Sequence, residues 1–392
     1  MRLLVLGHND WWIWRQSGFA GRCAALATEL AKRAQVELVV VDTPRWSGHG
    51  HRPAEARDDD VTRVAPSVRA VRWSYPLPLP GDRLWARRLN EAVSRRGLQN
   101  RVERALSEGG PVVALVADPR LVGAALHLPH DLLVVDVIDD WRFHPWAGRT
   151  AVEAGYRLAG LHADVVVGVC EQALKQVGLG DQGHVLFNAV DPELWRTAQP
   201  DAEAAARWRR PVVGYVGVVQ ERFDAPLLSA VAQRLPAVDF VVAGPVLHGM
   251  PPDLVRSAAN VHLVGPIDHE RLPGWLLAMD ACIMPHRHDG LTASMDPLKL
   301  YEYLAAGRPV VSTVQSPNPA LQAHVRLARD ADEFAAALQD ELNNDSAERQ
   351  QDRRAAIDGQ VWSLRADLLL TMIEEALSRR AESVAARGKG VA

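Results

Sequence analysis

The sequence predicts an α/β fold in two domains, each built on a parallel sheet. Short apolar runs alternate with amphipathic helical stretches from residue 2 onward, and such alternation is typical of strand–helix–strand units. The same alternation begins again near Pro211. The 392 residues are also enough to form two domains with separate hydrophobic cores.

The composition is that of an ordinary globular protein, with 48% hydrophobic and 23% charged residues. A net charge of -4 argues against a general nucleic-acid binder. Three cysteines share no metal-ligand spacing and indicate a reducing compartment, so we expect a cytoplasmic protein. The first apolar run, MRLLVLGH, is too short for a signal peptide, and no run approaches the length of a membrane span.

The individual elements follow from short apolar runs and from apolar residues at helical spacing. In the first half we predict strands at residues 2–7, 36–41, 68–73, 111–117, 132–137 and 163–169, and helices at 22–33 and 82–108. In the second half we predict strands at 211–216, 240–243, 261–264, 281–284 and 309–313, and helices at 225–234, 269–278, 330–341 and 362–377. The last helix carries a predicted apolar stripe of Leu364, Leu368, Met372 and Leu377.

A loop with three tryptophans and two glycines follows the first strand. Its glycines, Gly18 and Gly21, would let the backbone approach a ligand closely. The indole rings of Trp11, Trp12 and Trp14 would either stack on an acceptor or pack against the protein.

The predicted helix at residues 82–108 is rich in arginine. Its arginines are Arg83, Arg87, Arg88, Arg95, Arg96, Arg101 and Arg104. A basic face of this kind would dock on an anionic membrane. The alternative is a solvated face, because Glu91, Glu103 and Glu108 interrupt the basic residues.

Acidic residues follow two predicted strands of the first half. Asp118 ends one strand, and Asp139 and Asp140 end the next. Ligands in open α/β sheets lie at the carboxyl ends of strands, so these residues are candidates for orienting an acceptor hydroxyl. Capping of the following helices is the alternative for Asp118 and Asp140; we favour the site for Asp139 and Asp140. His144 follows closely and would face the same site.

Residues 289–313 contain the strongest candidate site. Asp296 and Pro297 are suited to begin a helix, which Gly307 ends before a short buried strand. A polar loop feeding a helix start binds anions, because unpaired N–H groups and the helix dipole point at the ligand. Lys299 and Glu302 lie on one face and offer a cation for phosphate and a carboxylate for sugar hydroxyls. An ordinary solvated pair is the alternative.

Three glycines end strands of the second half at Gly217, Gly244 and Gly265. Together with Pro285, they predict a ledge without side chains on which a nucleotide could lie.

Two segments carry a resemblance to a known family. The run PLKLYEYLAAGRPVVST resembles the donor-site signature of GT-B glycosyltransferases, especially the retaining glycosyltransferase family 4. Glu302 matches the second of that family's two glutamates, and Ser294 stands where the first would be. VLFNAVDPELW, residues 185–195, resembles the segment that closes the N-terminal domain of GT-B enzymes.

The resemblance implies two Rossmann-like domains that face each other across a cleft. Residues 1–200 would bind the acceptor and residues 201–360 the nucleotide sugar. Residues 361–392 would form a helix that crosses back to the N-terminal domain, plus a flexible tail. The implied reaction is hexosyl transfer from a nucleotide-diphosphate sugar with retention and without a metal.

The resemblance and the patterns together give one set of candidate site residues. The donor-binding candidates are Gly217, Arg222, Gly244, Gly265, Ile267, His286, Ser294, Met295, Asp296, Pro297, Leu298, Lys299 and Glu302. The catalytic candidates are Asp118, Asp139, Asp140 and Lys299, and the acceptor candidates are Trp11, Trp12, Trp14, Gly18, Gly21 and His144. We expect no metal or other cofactor, because neighbouring residues on the extended loop at 286–288 point in different directions.

Two other functions fit the same sequence. One is a GT-B nucleotide-sugar epimerase, and the other is a non-catalytic subunit that binds sugar nucleotides. Acceptors of three classes fit a transferase: a sugar, a lipid-linked sugar or a natural product.

Overall fold

The structure is a computed structural model that describes residues 1–19, 21–33, 36–44, 53, 59–79, 83–191, 193–247 and 258–389. The chain forms two compact units: unit 1 is Met1–Phe187 with Ser363–Ala392, and unit 2 is Asn188–Trp362. The sequence predicts that the N-terminal domain ends near residue 200, whereas the first segment of unit 1 ends at Phe187. The end of the predicted C-terminal tail, residues 390–392, lies outside the described residues.

Unit 1 contains an eight-stranded sheet. Its strands are β1 (Arg2–Leu6), β2 (Glu37–Val41), β3 (Val61–Ala65), β4 (Val68–Val71), β5 (Val112–Val116), β6 (Leu132–Val137), β7 (Val165–Gly168) and β8 (Gly183–Val185). The strand order is β3-β4-β2-β1-β5-β6-β7-β8, and only β3 pairs antiparallel. The prediction of a parallel sheet is confirmed.

Helices cover this sheet. They are α1 (Trp11–Gln16), α2 (Arg22–Ala31), α3 (Leu84–Ala105), α4 (Val122–Ala125), α5 (Arg149–His162) and α6 (Glu171–Gln176), with single turns at Pro119–Leu121, Trp141–Phe143 and Pro145–Ala147. The tryptophan-rich segment predicted as a loop is therefore partly helical. The Asp10 carboxylate caps α1 by accepting hydrogen bonds from the N–H groups of Trp12 and Ile13, both at 3.1 Å.

The C-terminal helix, Trp362–Lys389, belongs to unit 1 from Ser363 onward. Its Arg365 donates a hydrogen bond to the Phe187 carbonyl at 3.0 Å, and Arg380 pairs with Asp164 at 3.2 Å. The predicted apolar stripe was wrong. The helix buries Ala366, Leu369, Ile373 and Ala376, while Leu364 and Leu368 are exposed.

Unit 2 contains a parallel sheet, as predicted, but with six strands where the sequence predicted five. Its strands are β9 (Val212–Val216), β10 (Asp239–Ala243), β11 (Val261–Gly265), β12 (Ala281–Met284), β13 (Val310–Ser312) and β14 (Val325–Leu327), in the order β11-β10-β9-β12-β13-β14. Its helices are α7 (Glu193–Arg196), α8 (Ala202–Arg207), α9 (Ala225–Arg234), α10 (Leu272–Leu277), α11 (Gly290–Ala293), α12 (Leu298–Ala305), α13 (Pro319–Gln322), α14 (Ala331–Asn344) and α15 (Ala347–Ala355), with a single turn at His269–Arg271.

Each sheet has a point where the strand order reverses. In unit 1, β1 lies between β2 and β5, and in unit 2, β9 lies between β10 and β12. Connections leave such a point in opposite directions and open a crevice beyond the carboxyl ends of the strands. Ligand sites are therefore expected beyond β1 and β5, and beyond β9 and β12.

Within the described ranges, every helix is too short or too polar to cross a lipid bilayer.

Candidate functional site

The strand ends of unit 2 form the predicted glycine ledge. The N–H of Gly217 donates to the Ala243 carbonyl, and the N–H of Gly244 donates to the Gly265 carbonyl, both at 2.8 Å. All three glycines have positive φ, at +136°, +142° and +80°. A Cβ atom on Gly244 would lie 2.1 Å from the Gly217 carbonyl oxygen, so only glycine permits this close approach.

The start of α12 lies beside this ledge and has no side-chain cap. Asp296, predicted to cap the helix, does not do so. Its carboxylate instead accepts hydrogen bonds from the Asn188 N–H at 2.6 Å and from the Tyr301 hydroxyl at 2.8 Å. The N–H groups of Leu298 and Lys299 at the helix start therefore remain available to an anion.

The side chain of Lys299 is buried beside β9. Its ammonium group donates to the Tyr215 hydroxyl at 2.6 Å and lies 3.8 Å from the centroid of the same ring. Among the described residues, no ion pair joins Lys299 to Glu302, so the alternative of a solvated pair was wrong. Burial lowers the pKa of Lys299 well below its usual value, and the charge of Arg222 lowers it further.

Arg222 and His286 complete a cluster around Tyr215. Their backbones are tied together, because Phe223 pairs with His286 and the Arg287 N–H donates to the Arg222 carbonyl at 2.8 Å. The His286 ring lies 6.4 Å from the Tyr215 ring, at 78° to it. Arg222, His286, Lys299 and Tyr215 are called the Tyr215 cluster below.

The Tyr215 cluster has more hydrogen-bond donors than acceptors. Three buried nitrogen atoms of the cluster have no hydrogen-bond partner within the described part of the chain. They are the two ring nitrogens of His286 and the Nε of Arg222. Burial lowers the pKa of His286 well below its usual value, with smaller effects from Lys299 and Arg222. Buried polar atoms are normally paired, so these atoms are suited to hydrogen-bond an external group that enters the cluster.

Glu302 lies one turn into α12 and is half-buried. Removal from solvent raises the pKa of its carboxyl group to about 7, against the opposing effect of Lys299. The carboxyl group therefore changes charge near neutral pH.

The other residues predicted to bind the donor lie outside the Tyr215 cluster. The Ser294 hydroxyl donates to the Leu291 carbonyl at 2.8 Å, and Ile267 packs against the core. Pro297 occupies the N-cap position of α12. Met295 lines a cavity of about 960 Å³ together with Thr292 and Thr313.

In unit 1, the carboxylates of Asp118 and Asp140 each bind the arginine that follows two residues later in the chain. Asp118 accepts from the Arg120 N–H at 2.9 Å and pairs with the Arg120 guanidinium at 2.7 Å. Asp140 accepts from the Arg142 N–H at 3.1 Å and pairs with its guanidinium at 2.6 Å. The capping alternative thus describes both residues, including Asp140, for which the sequence favoured the site.

These pairings weaken Asp118 as a general base. Burial alone would raise its pKa, but Arg120, with Arg87 and His8, outweighs burial and holds the pKa below its usual value. Asp139 is half-buried, and its main-chain carbonyl accepts from the Tyr156 hydroxyl at 2.9 Å.

An aromatic cluster lies beyond the carboxyl ends of β1, β5 and β6. The His8 ring stacks on Trp146 with centroids 4.9 Å apart, and His144 lies 5.1 Å from the same ring. The Arg120 guanidinium lies 5.1 Å from the Trp141 ring and 5.2 Å from the Trp146 ring.

The three tryptophans of α1 follow the packing alternative, since Trp11, Trp12 and Trp14 are buried. Gly18 and Gly21 keep positive φ, at +64° and +106°, and no atom lies within 4 Å of a Cβ built on Gly21.

Sequence reasoning missed Tyr215, His8 and Arg120. His8 and Arg120 follow the ends of β1 and β5, so their position was a usable signal. Tyr215 was hidden inside the apolar run of β9, where it looked like a core residue.

Part of unit 2 is similar to a known protein family. Residues 210–344 match the family model described as glycosyl transferases group 1. Over 135 residues the chain is 31% identical to TuaH of Bacillus subtilis (strain 168), named as a teichuronic acid biosynthesis glycosyltransferase. The match covers 33% of this chain and about a third, 34%, of that relative's length.

Solved structures match nearly the whole chain. Sucrose-phosphate synthase from Thermosynechococcus elongatus matches with a TM-score of 0.72 and 18% identity, over 96% of this chain and 99% of that one. HepE from Anabaena, in complex with UDP and glucose, matches with a TM-score of 0.63 and 16% identity, over 95% and 99%. The protein has the GT-B fold. The group 1 match lies in the second GT-B domain and contains the whole Tyr215 cluster.

Proposed function

We propose that the protein is a glycosyltransferase that moves a sugar from a nucleotide-diphosphate sugar to an acceptor hydroxyl. The observation that carries the proposal is the Tyr215 cluster beside the uncapped start of α12. A buried ammonium group, a guanidinium group and an unpaired imidazole converge there with two helix N–H groups. A diphosphate supplies the negative charge and the acceptor oxygens that this arrangement lacks.

The chemical task at this site is to stabilise the departing nucleoside diphosphate. Negative charge develops on the leaving oxygen as the bond to the anomeric carbon breaks. The N–H groups of Leu298 and Lys299 and the side chains of Lys299 and Arg222 would stabilise that charge without reorganising. Glu302 would accept hydrogen bonds from the ribose hydroxyls, and the ledge at Gly217, Gly244 and Gly265 would support the nucleotide.

We further propose that the enzyme belongs to glycosyltransferase family 4, retains anomeric configuration and needs no metal. In a retaining reaction of this kind a leaving phosphate oxygen can take the acceptor proton. The arginine pairs of Asp118 and Asp140 agree with this route, because they suit carboxylates that position a group better than carboxylates that accept a proton.

The acceptor would bind on unit 1, beyond β1, β5 and β6. The exposed ring of Trp146 in the aromatic cluster offers a sugar an apolar contact. We place the enzyme in the cytoplasm, where its three cysteines, which form no disulfide in the described part of the chain, would stay reduced.

Binding of nucleoside diphosphates tests the donor site directly. UDP is the first ligand to try, because HepE and a trehalose-6-phosphate enzyme from E. coli were solved with UDP or a UDP-sugar. We expect a nucleoside diphosphate to raise the melting temperature and to occupy the start of α12 in a crystal. A diphosphate bound elsewhere would contradict the proposal.

Turnover separates the transferase from the other two functions. We expect slow hydrolysis of the sugar nucleotide that accelerates when an acceptor is added. Conversion of the donor to an epimer would identify an isomerase, and binding without turnover on any acceptor would identify a non-catalytic subunit.

A further inference from the structure

The outward side of α3 carries an exposed apolar stripe. The buried side of this 22-residue helix consists of residues such as Ala86, Asn90, Leu98 and Val102. Trp85, Leu89 and Val93 lie four residues apart on the opposite side and are 59%, 44% and 57% exposed. Large apolar side chains repeated at helical spacing on a surface usually mark an interaction face.

Arginines flank the stripe. Arg88, Arg95 and Arg96 are exposed. Arg95 and Arg96 make no hydrogen bond or ion pair within the described part of the chain. The glutamate that interrupts this part of the sequence, Glu91, is turned inward, where it accepts a hydrogen bond from the Tyr75 hydroxyl at 3.3 Å. The outward side of α3 from residue 84 to residue 96 is therefore apolar and basic, with no acidic side chain.

The surface continues beyond the helix. Trp85 and Arg88 line a cavity of about 720 Å³ together with Pro145 and Arg149. Phe143 and Trp146, next to that cavity in sequence, are also exposed. The exposed apolar and basic surface of α3 thus continues toward the aromatic cluster beyond β5 and β6.

We propose that unit 1 docks on anionic lipid bilayers through the outward side of α3. A helix that lies in the plane of a membrane needs one apolar side to enter the headgroup region and flanking cations to contact anionic lipids. Trp85 suits that boundary because its ring is apolar and its N–H is polar. Arginine side chains can keep their charge at the headgroups while their stems cover apolar surface. The docking does not depend on the proposed transferase activity.

Co-sedimentation of the full chain with vesicles tests the docking. We expect the protein to sediment with phosphatidylcholine vesicles that contain about a third phosphatidylglycerol, and to stay in solution with pure phosphatidylcholine. Replacing the stripe by Trp85→Ser, Leu89→Ser and Val93→Ser should reduce vesicle partitioning at least about tenfold. The combined Arg88→Gln, Arg95→Gln and Arg96→Gln variant should bind weakly and with little dependence on salt.

The C-terminal helix provides a matched control. Leu364 and Leu368 are also spaced four apart and are 46% and 49% exposed. Leu364→Ser with Leu368→Ser removes exposed leucines at the same spacing from another helix of unit 1 and should leave vesicle binding unchanged. Circular dichroism and melting curves should match those of the unaltered protein for each variant, because all altered side chains are exposed.

Three results would overturn the docking. The first is no sedimentation with anionic vesicles, and the second is equal sedimentation of the stripe variant and the unaltered chain. The third is a change from dimer to monomer in the stripe variant by light scattering, which would show that a second copy of the chain covers this side of α3.

Discussion

The ammonium group of Lys299 donates a 2.6 Å hydrogen bond to the hydroxyl of Tyr215, although 84 residues separate them in the chain. The two side chains meet because the start of α12 lies beside the carboxyl end of β9. Tyr303 holds that arrangement, since its hydroxyl accepts from the Val216 N–H at 2.8 Å and donates to the Val216 carbonyl at 3.2 Å. The site is therefore built on rigid elements before any ligand binds.

Lys299→Met should weaken diphosphate binding and stabilise the fold at neutral pH. We expect at least a tenfold loss of affinity for a nucleoside diphosphate, about 1.4 kcal/mol, because the cation facing the phosphate is removed. The fold should gain stability because a buried amine is replaced by an apolar side chain of similar length. Calorimetric titration and urea unfolding would measure the two effects.

The stability difference should depend on pH with a definite sign. The pKa of Lys299 in the folded protein lies well below 10.5, the usual value of a lysine side chain. Between those two pKa values the unfolded chain binds more protons, so the unaltered protein becomes more stable as pH rises. The advantage of Lys299→Met should therefore shrink as pH rises toward 10.5. An advantage that grows with pH would contradict the depressed pKa.

Glu302→Gln should abolish a pH dependence of donor binding. Because the pKa of Glu302 is about 7, its carboxylate becomes protonated as pH falls through neutrality and accepts ribose hydroxyl hydrogen bonds less well. We expect the unaltered protein to lose donor affinity below that pH. The glutamine variant should bind about tenfold more weakly at higher pH, with a flat profile. Equal affinities and parallel profiles would exclude a ribose contact.

Gly244→Ala should destabilise the protein more than Gly265→Ala. Both glycines have positive φ, which costs alanine about 1 kcal/mol at either position. Only the Cβ at position 244 also meets a backbone atom, the Gly217 carbonyl oxygen, at 2.1 Å, whereas no atom lies within 4 Å at position 265. Thermal unfolding of the two variants would compare these costs directly. If both variants lost the same stability, the ends of β9 and β10 would lie farther apart than the contact between Gly217 and Gly244 indicates.

Activity should survive a chelator. Lys299, Arg222 and the helix N–H groups would stabilise the negative charge on the leaving group, so no metal ion is needed for that task. Treatment with EDTA should therefore change the transfer rate less than about twofold. Loss of activity that a divalent cation restores would contradict metal-independent transfer.

Local patterns in the sequence determined most of the sheet framework. Runs such as those of β5 and β9 contain no charged residue and are fully buried, because strands in a parallel sheet are covered on both sides. The strands β3, β8 and β14 escaped prediction because at most one residue of each is buried, so none of them forms a fully buried apolar run. The glycines at 217, 244 and 265 were recognisable because their positions at strand ends required backbone freedom, and the segment around Glu302 carried its own family resemblance.

Tertiary structure alone decided which polar groups meet and which side chains are covered. Asp296 has the right residue type for a helix cap, yet Asn188 and Tyr301 take its carboxylate. Glu91 seemed to interrupt a basic surface until the packing of α3 turned it inward. Sequence spacing reports on neighbours within one or two helical turns, whereas burial and hydrogen-bond partners depend on elements that arrive from distant parts of the chain.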